Sequence, residues 1–165
     1  LIGVGEVIIV ARPTIFGPEP SDIADVVFKS VKYRKMAHTA EDLTERALME
    51  QGFTGDYKHG DVRHGFLLEF EKKPQIDLEA IERYVKAKIA EDLGVSFADE
   101  THIRIGGQLH RCTGPRMHMS STGEIKGFSM LKELIYDEMS DRYLLVGLVG
   151  GADVKDLHDM NKLLL

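Results

Sequence analysis

The residues best suited to chemistry lie in one segment, residues 101–127, which reads THIRIGGQLHRCTGPRMHMSSTGEIKG. This segment contains three of the seven histidines, three arginines and the only cysteine of the chain. Its formal charge is +3, whereas the complete chain carries −6. A positive segment in an acidic protein favours an anion-binding site, because the local field attracts negatively charged ligands.

Two turn signals predict how this segment folds. Gly106-Gly107 predicts the tight turn of an antiparallel hairpin that pairs residue 103 with 110 and residue 104 with 109. Gly114-Pro115 predicts a second turn and a third strand over residues 117–119. Since neighbours along a strand alternate between faces, one face receives Ile103, Ile105, His110, Cys112, Met117 and Met119. The opposite face receives His102, Arg104, Leu109, Arg111, His118 and Ser120.

This register argues against a metal site in the segment. His110, Cys112 and His118 are possible ligands, but their spacing matches no strong zinc signature. The register places His118 across the sheet from Cys112. We therefore predict that His110 and Cys112 are packed in the core and that no metal bridges them to His118. A slip of one residue would reverse this assignment.

The outward face predicts an anion site with histidine acid–base chemistry. Ser121 and Glu124 match a capping box that opens a predicted helix over residues 122–136. Free N–H groups at a helix start, together with arginine side chains, bind phosphate or carboxylate. The candidate catalytic residues are His102 and His118, and the candidate ligand-binding residues are Arg104, Arg111, Arg116, Ser120, Ser121 and Thr122. The alternative is that these arginines pair with acidic groups on the surface or on a neighbouring subunit.

A second group of polar residues lies in the glycine-rich stretch 52–65, GFTGDYKHGDVRHG, which predicts a long loop. Its carboxylates and histidines could bind a metal or move protons. That interpretation gains weight if the loop folds over the face of residues 101–127. The residues concerned are Asp56, His59, Asp61, Arg63 and His64.

Other functional classes find less support. No serine lies in a G-x-S-x-G turn, and a nucleophilic Cys112 would need an exposed, electropositive setting that its predicted inward face denies it. The acidic net charge and the lack of aromatic residues in the positive segment argue against nucleic acid. No stretch reaches the ~20 apolar residues that cross a membrane. A single cysteine cannot form an internal disulfide, and we predict a cytoplasmic protein.

The remaining pattern predicts the elements that position these residues. Buried strands are expected at residues 4–11 and 143–151, and a strand with one apolar face at residues 66–70. Helices are expected from Ser21, from Thr39, from Asp77 to Gly94, over residues 122–136 and from Asp153. Residues 1–165 are therefore predicted to form a single α/β (α+β) domain, with a mixed β-sheet of about five to six strands packed by about five helices.

Two functional hypotheses follow. The first is a small α/β protein that binds a small anionic ligand, bearing phosphate or carboxylate, on the face of residues 102–122. The second is a non-catalytic interaction or regulatory subunit of a homo- or hetero-oligomer. The apolar residues 163–165 favour a homo-oligomer, because exposed apolar ends prefer a partner. The sequence does not decide whether the protein is an enzyme, and it names no cofactor.

Overall fold

The computed structural model describes residues 20–62, 64–113 and 117–151, and for residues 20–30 it describes the backbone alone. The strand predicted at residues 4–11 and the helix predicted from Asp153 lie outside these ranges. The described elements are, in chain order, α1 (Pro20–Glu50), β1 (Lys58–Val62), β2 (Gly65–Phe70), α2 (Leu78–Ala90), β3 (Val95–Asp99), β4 (His102–Ile105), β5 (Gln108–Arg111), the 3-10 helix η1 (Thr122–Glu124), β6 (Ser129–Met130), β7 (Ile135–Asp137) and β8 (Arg142–Leu148).

The strands form two antiparallel sheets. In the five-stranded sheet, β2 lies between β1 and β8, and β6 and β7 pair with different parts of β8. The three-stranded sheet is the meander β3-β4-β5. The predicted mixed sheet with about five helices is therefore wrong, because the described residues form two α-helices and eight strands without a parallel pair.

Helix α1 is continuous where the sequence predicts two helices. Residues 21–51 contain neither glycine nor proline, so nothing in the chain interrupts the helical hydrogen bonds. The predicted stop at Gly52 is confirmed: this residue has a φ of 78°, and the next N–H, on Phe53, donates to the carbonyl of Leu48. Such a left-handed residue closes a helix at low cost when it is glycine.

The helix predicted over residues 122–136 is wrong. Only Thr122–Glu124 is helical, and the chain continues into β6 and β7. Gly127, with a φ of 57°, lies so close to residues 150–151 that an added Cβ would come within 2.2 Å of the Gly151 nitrogen. The apolar spacing of Ile125 and Phe128 thus reflects packing of an irregular segment against the core, where both are buried.

The stretch 52–65 is only partly a loop, since β1 forms within it and pairs with β2 in the register Lys58↔Glu69 to Val62↔Gly65. The predicted one-sided strand at residues 66–70 is confirmed. Phe66, Leu68 and Phe70 are fully buried, and the side chains between them are half-buried.

The core lies where α1 packs on β2, β8 and α2. Every residue of α1 from Met36 to Leu48 is buried, including its charged residues. Helix α2 contributes Ile81 and Val85, and its predicted cap is confirmed, because the Asp77 carboxylate accepts from the Ala80 N–H at 3.0 Å. Among the described residues, no helix combines the length and apolar character that a membrane crossing requires.

Candidate metal centre

Helix α1 supplies four potential metal ligands on one face. His38, Glu41, Asp42 and Glu45 follow the spacing i, i+3, i+4, i+7, which aligns side chains along a helix. All four are 9% exposed or less. Buried carboxylates need compensating partners, since an unpaired buried charge is costly. The face therefore demands a cationic or hydrogen-bonding counterpart from another element.

The hairpin β4–β5 provides part of that counterpart. Its predicted register is confirmed, with His102↔Arg111 and Ile105↔Gln108 as the outer pairs and Gly106-Gly107 as the turn. The Arg46 guanidinium donates to the carbonyls of Ile105 and Gln108 at 3.2 and 2.8 Å, which fastens the hairpin to α1. The predicted burial of its inward face is confirmed too, with His110 at 4% and Cys112 at 7% exposure.

His118 lies beside Cys112, contrary to prediction. Residues 117–119 form no strand; instead the Met119 N–H donates to Thr39 Oγ1 of α1 at 3.0 Å. This bond brings the His118 side chain, 3% exposed, to 3.3 Å from Cys112 Sγ through Nε2. Its Nδ1 lies 3.4 Å from Asp42 Oδ2. The face assignment failed because the chain crosses α1 here rather than folding back as a third strand.

His110 faces the same carboxylates from the other side. Its Nε2 lies 3.4 Å from Asp42 Oδ1 and 3.2 Å from Glu45 Oε2. Burial lowers the pKa of His110, but the two carboxylates outweigh burial and raise this pKa to about 9. Burial raises the pKa of Asp42 above its ordinary value, although the nearby His110 opposes that shift. Asp42 thus stands between two histidines.

His59 reaches the face from β1. Its Nδ1 lies 2.7 Å from Glu41 Oε1 and 3.2 Å from Glu45 Oε1. The hydrogen bond to Glu41 raises the pKa of His59, and burial raises the pKa of Glu41 despite that bond. The His59 side chain is 57% exposed, so it connects the buried carboxylates with solvent.

A cleft of about 620 Å³ opens onto this cluster. Its walls come from α1, from the stretch that leads into and through β1, and from the end of β5 at Arg111, Cys112 and Thr113. The stretch 52–65 therefore does fold over the segment 101–127, and it brings Asp56, His59 and Asp61 to the cleft. Asp61 is also paired with Arg34 at 3.0 Å.

The geometry of Asp42, Cys112 and His118 fits a zinc-type ion. One ligand atom from each lies within 4.8 Å of the others. Tetrahedral zinc with ordinary Zn–S and Zn–N bonds places sulfur and nitrogen about 3.5 Å apart, close to the 3.3 Å between Cys112 Sγ and His118 Nε2. Because one ion takes only one nitrogen of a ring, the contact between His118 Nδ1 and Asp42 Oδ2 is not part of that coordination. His38 lies alongside, with its ring centroid 5.9 Å from that of His118. Thiolate, imidazole and carboxylate are a ligand set that suits zinc.

The other residues predicted for a site do not converge with His118. Arg104 Nη1 approaches the carbonyl of Gly107 at 3.4 Å on the exposed side of the hairpin, and His102 Nδ1 lies 3.0 Å from Asp99 Oδ1. Ser121 belongs to the short turn η1, where its N–H donates to Glu124. Ser120 is exposed, and Arg116 lies outside the described residues. Of the predicted anion ligands, Arg111 is the one that lines the cleft.

Thr122 has a structural role in place of the predicted binding role. Its hydroxyl, fully buried, donates to the Lys88 carbonyl at 2.6 Å and accepts from the Leu93 N–H at 2.8 Å. Replacing Thr122 with valine is expected to lower the free energy of unfolding by about 2–3 kcal/mol, because two partly buried backbone groups lose their partner. Urea denaturation measures this. Thr113→Val, at an exposed threonine, should change stability by less than about 0.5 kcal/mol; equal losses in both variants would contradict the assigned role.

The four ligand candidates on α1 were not predicted from the sequence. His38 and Asp42 stand four positions apart, which is the spacing by which a helix presents two ligands to one metal ion. A predicted helix start at Thr39 placed His38 outside the helix and concealed this spacing. Glu41 and Glu45 carried no signal of their own, since acidic residues on a helix are ordinarily exposed.

Comparison with models of known protein families finds no match for this chain, and comparison with curated proteins finds none either.

Proposed function

We propose that this protein binds a zinc-type metal ion through Asp42, Cys112 and His118 and uses it for hydrolysis in the adjoining cleft. The observation that carries the proposal is the convergence of a buried thiol, imidazole and carboxylate from three separate segments beside that cleft, which Asp42 and Cys112 line. From the sequence we expected that no metal bridges Cys112 and His118, because the predicted register separated them across a sheet. The metal site proposed here replaces that expectation.

Charge supports a metal ion over a purely structural cluster. Among the described residues, the ion-pair partners of Glu41, Asp42 and Glu45 are all histidines. Asp42 Oδ2 is buried and has no hydrogen-bond partner within that part of the chain. A cation bound by the Asp42 carboxylate would offset the cost of burying that charge.

The arrangement suits a catalytic rather than a closed structural site. Three protein ligands leave a coordination position for water, and zinc lowers the pKa of such a water toward neutrality. Asp42 and Cys112 line the cleft, so two of the three proposed ligands face the space that a substrate would occupy. Glu41, joined to the exposed His59, is placed to accept a proton and pass it to solvent. Arg111 at the rim would hold an anionic group of the substrate, which preserves one part of the anionic-ligand hypothesis.

Metal content tests the proposal. Protein purified from zinc-supplemented medium should contain zinc, and Cys112→Ser should lose one ion per chain relative to the wild type. His102→Ala removes a half-buried histidine outside the cluster and should retain the wild-type content. Elemental analysis after gel filtration measures both. Equal zinc content in wild type and Cys112→Ser, with both folded by circular dichroism, would exclude the site.

The hydrolytic part has its own readout. The zinc-loaded protein should hydrolyse an activated ester such as p-nitrophenyl acetate, and chelation should abolish that activity until zinc is restored. Glu41→Gln should lower the rate by about 10²–10⁴-fold, the range of general-base effects, with zinc content unchanged. Zinc-bound protein without any hydrolytic activity would reduce the proposal to metal binding.

A thiol-based hydrolase is the second candidate function. His118 faces Cys112 with one ring nitrogen and Asp42 with the other, which is the order of a nucleophile–base–acid triad. Against it, a reactive cysteine needs a partly exposed, electropositive setting, whereas Cys112 is buried in a cleft that three carboxylates line. Ester hydrolysis that persists in chelator and stops with iodoacetamide would favour this alternative.

The hypothesis of a non-catalytic subunit in an oligomer remains a proposal, and it concerns a surface other than the cleft. Leu109 is 55% exposed on β5, an edge strand of the three-stranded sheet. An exposed apolar residue on an edge strand suits pairing with a second copy of the chain. A buried thiol kept for metal binding accords with a reducing compartment, so we retain the cytoplasm as the proposed location.

A further inference from the structure

The carboxylate of Asp42 faces two separate groups of ligands. Its Oδ2 lies 3.4 Å from His118 Nδ1, and its Oδ1 lies 3.4 Å from His110 Nε2. Asp42 Oδ2 and His110 Nε2 have no hydrogen-bond partner among the described residues. Asp42 therefore belongs to both groups of potential ligand atoms.

Glu45 completes the group on the His110 side. Its Oε2 lies 3.2 Å from His110 Nε2, and one ligand atom each from Asp42, Glu45 and His110 lies within 4.8 Å of the others. The His110 side chain is 2% exposed and points its Nε2 between the two carboxylates. A buried imidazole nitrogen directed at two carboxylate oxygens is the arrangement that a mixed nitrogen–oxygen metal site requires.

We propose that Asp42, Glu45 and His110 bind a second divalent ion and that Asp42 bridges it to the ion held with Cys112 and His118. The inference rests on the proposed function for the first ion. Carboxylate-bridged pairs of ions about 3.5–4 Å apart recur in hydrolytic centres, where each ion stabilises one of the two oxygens that exchange in the reaction. The second site contains no sulfur, so it suits ions such as Mn²⁺, Co²⁺ or Zn²⁺.

The balance of charge agrees with two ions. Glu41, Asp42 and Glu45 together with the Cys112 thiolate would place four negative charges in buried positions around the cleft base. Two divalent ions would neutralise those four charges. A single divalent ion would leave two negative charges for protonated histidines to neutralise. Arg46, the arginine nearest to Asp42 on α1, donates instead to the carbonyls of Ile105 and Gln108.

Titration of the metal-free full-length chain with Co²⁺ tests the inference. The wild type should bind two equivalents, while the thiolate-to-cobalt charge-transfer absorption, which only the Cys112 site produces, should saturate after one. His110→Gln should bind one equivalent and retain that absorption. Cys112→Ser should bind one equivalent without it. Glu45→Gln repeats the His110 test with a nearly isosteric change, in case His110→Gln does not fold.

The outcomes separate this inference from the proposed function. A wild type that binds one equivalent, retained in His110→Gln and Glu45→Gln but lost in Cys112→Ser, overturns the second ion and leaves the first. That result would mean that His110 serves as a cationic partner of Asp42. Binding of one equivalent that is indifferent to Cys112→Ser but lost in His110→Gln would overturn the proposed function, and with it the bridged pair. Weakening of the second equivalent by more than about 100-fold in both His110→Gln and Glu45→Gln supports the inference.

Discussion

Zinc is expected to raise the melting temperature of the metal-free protein by about 8–16 °C when free zinc reaches about 1,000 times its dissociation constant. A ligand that binds only the folded state adds about 4 kcal/mol of stability at that ratio, and each kcal/mol shifts the melting temperature of a chain of this size by about 2–4 °C. The effect is large because the ion relieves the burial of Asp42, whose Oδ2 otherwise lacks a hydrogen-bond partner in the described part of the chain. Differential scanning calorimetry with and without zinc measures it.

Cys112→Ser and Thr113→Ala make a matched pair for this measurement, because they change adjacent residues of the cleft. The first should lose most of the zinc-dependent shift that is due to the Cys112 site, and the second should keep it. An excess of chelator should return the wild type to its metal-free melting temperature. An equal shift in all three proteins would show that zinc acts on the surface and would contradict the site at Asp42, Cys112 and His118.

Phe66→Ala is expected to destabilise the fold by about 3–5 kcal/mol, the usual cost of deleting a buried aromatic ring. Phe66 is fully buried in β2, directly opposite Gly147 of β8. Its ring lies against that glycine so closely that a Cβ on Gly147 would come within 2.4 Å of it. No neighbouring side chain at residue 147 can fill the space, so most of the cavity should persist.

Phe97→Ala deletes the same ring at a residue that is 60% exposed and should cost less than about 1 kcal/mol. Urea unfolding of both variants, with the slope of each transition compared to the wild type, measures the difference. Similar losses at both positions would contradict the placement of Phe66 in the core.

The sequence predicted those elements whose signals are local. The hairpin at Gly106-Gly107, the cap at Asp77 and the alternating strand at residues 66–70 each depend on a turn, a hydrogen bond or a periodicity within a few residues. The burial of His110 and Cys112 followed from the hairpin register alone. These predictions needed no knowledge of distant parts of the chain.

The candidate site escaped prediction because its geometry is tertiary. Ile125 and Phe128 have helical spacing, but no helix forms there because the backbone of Gly127 packs against residues 150–151. His118 reached Cys112 because the Met119 N–H binds Thr39, an interaction between positions 80 residues apart. No periodicity of the segment 101–127 encodes that crossing. The prediction of the fold class was wrong for the same reason.

The bond between Met119 and Thr39 also has a kinetic consequence. Contacts between positions so far apart form only after a large loop has closed, and loop closure costs conformational entropy that local contacts do not repay. In the unfolded chain, Asp42 and the pair Cys112 and His118 are therefore too dispersed to chelate one ion together. Uptake of the proposed ion would therefore follow folding, and the bound ion would stabilise the folded chain and slow its unfolding.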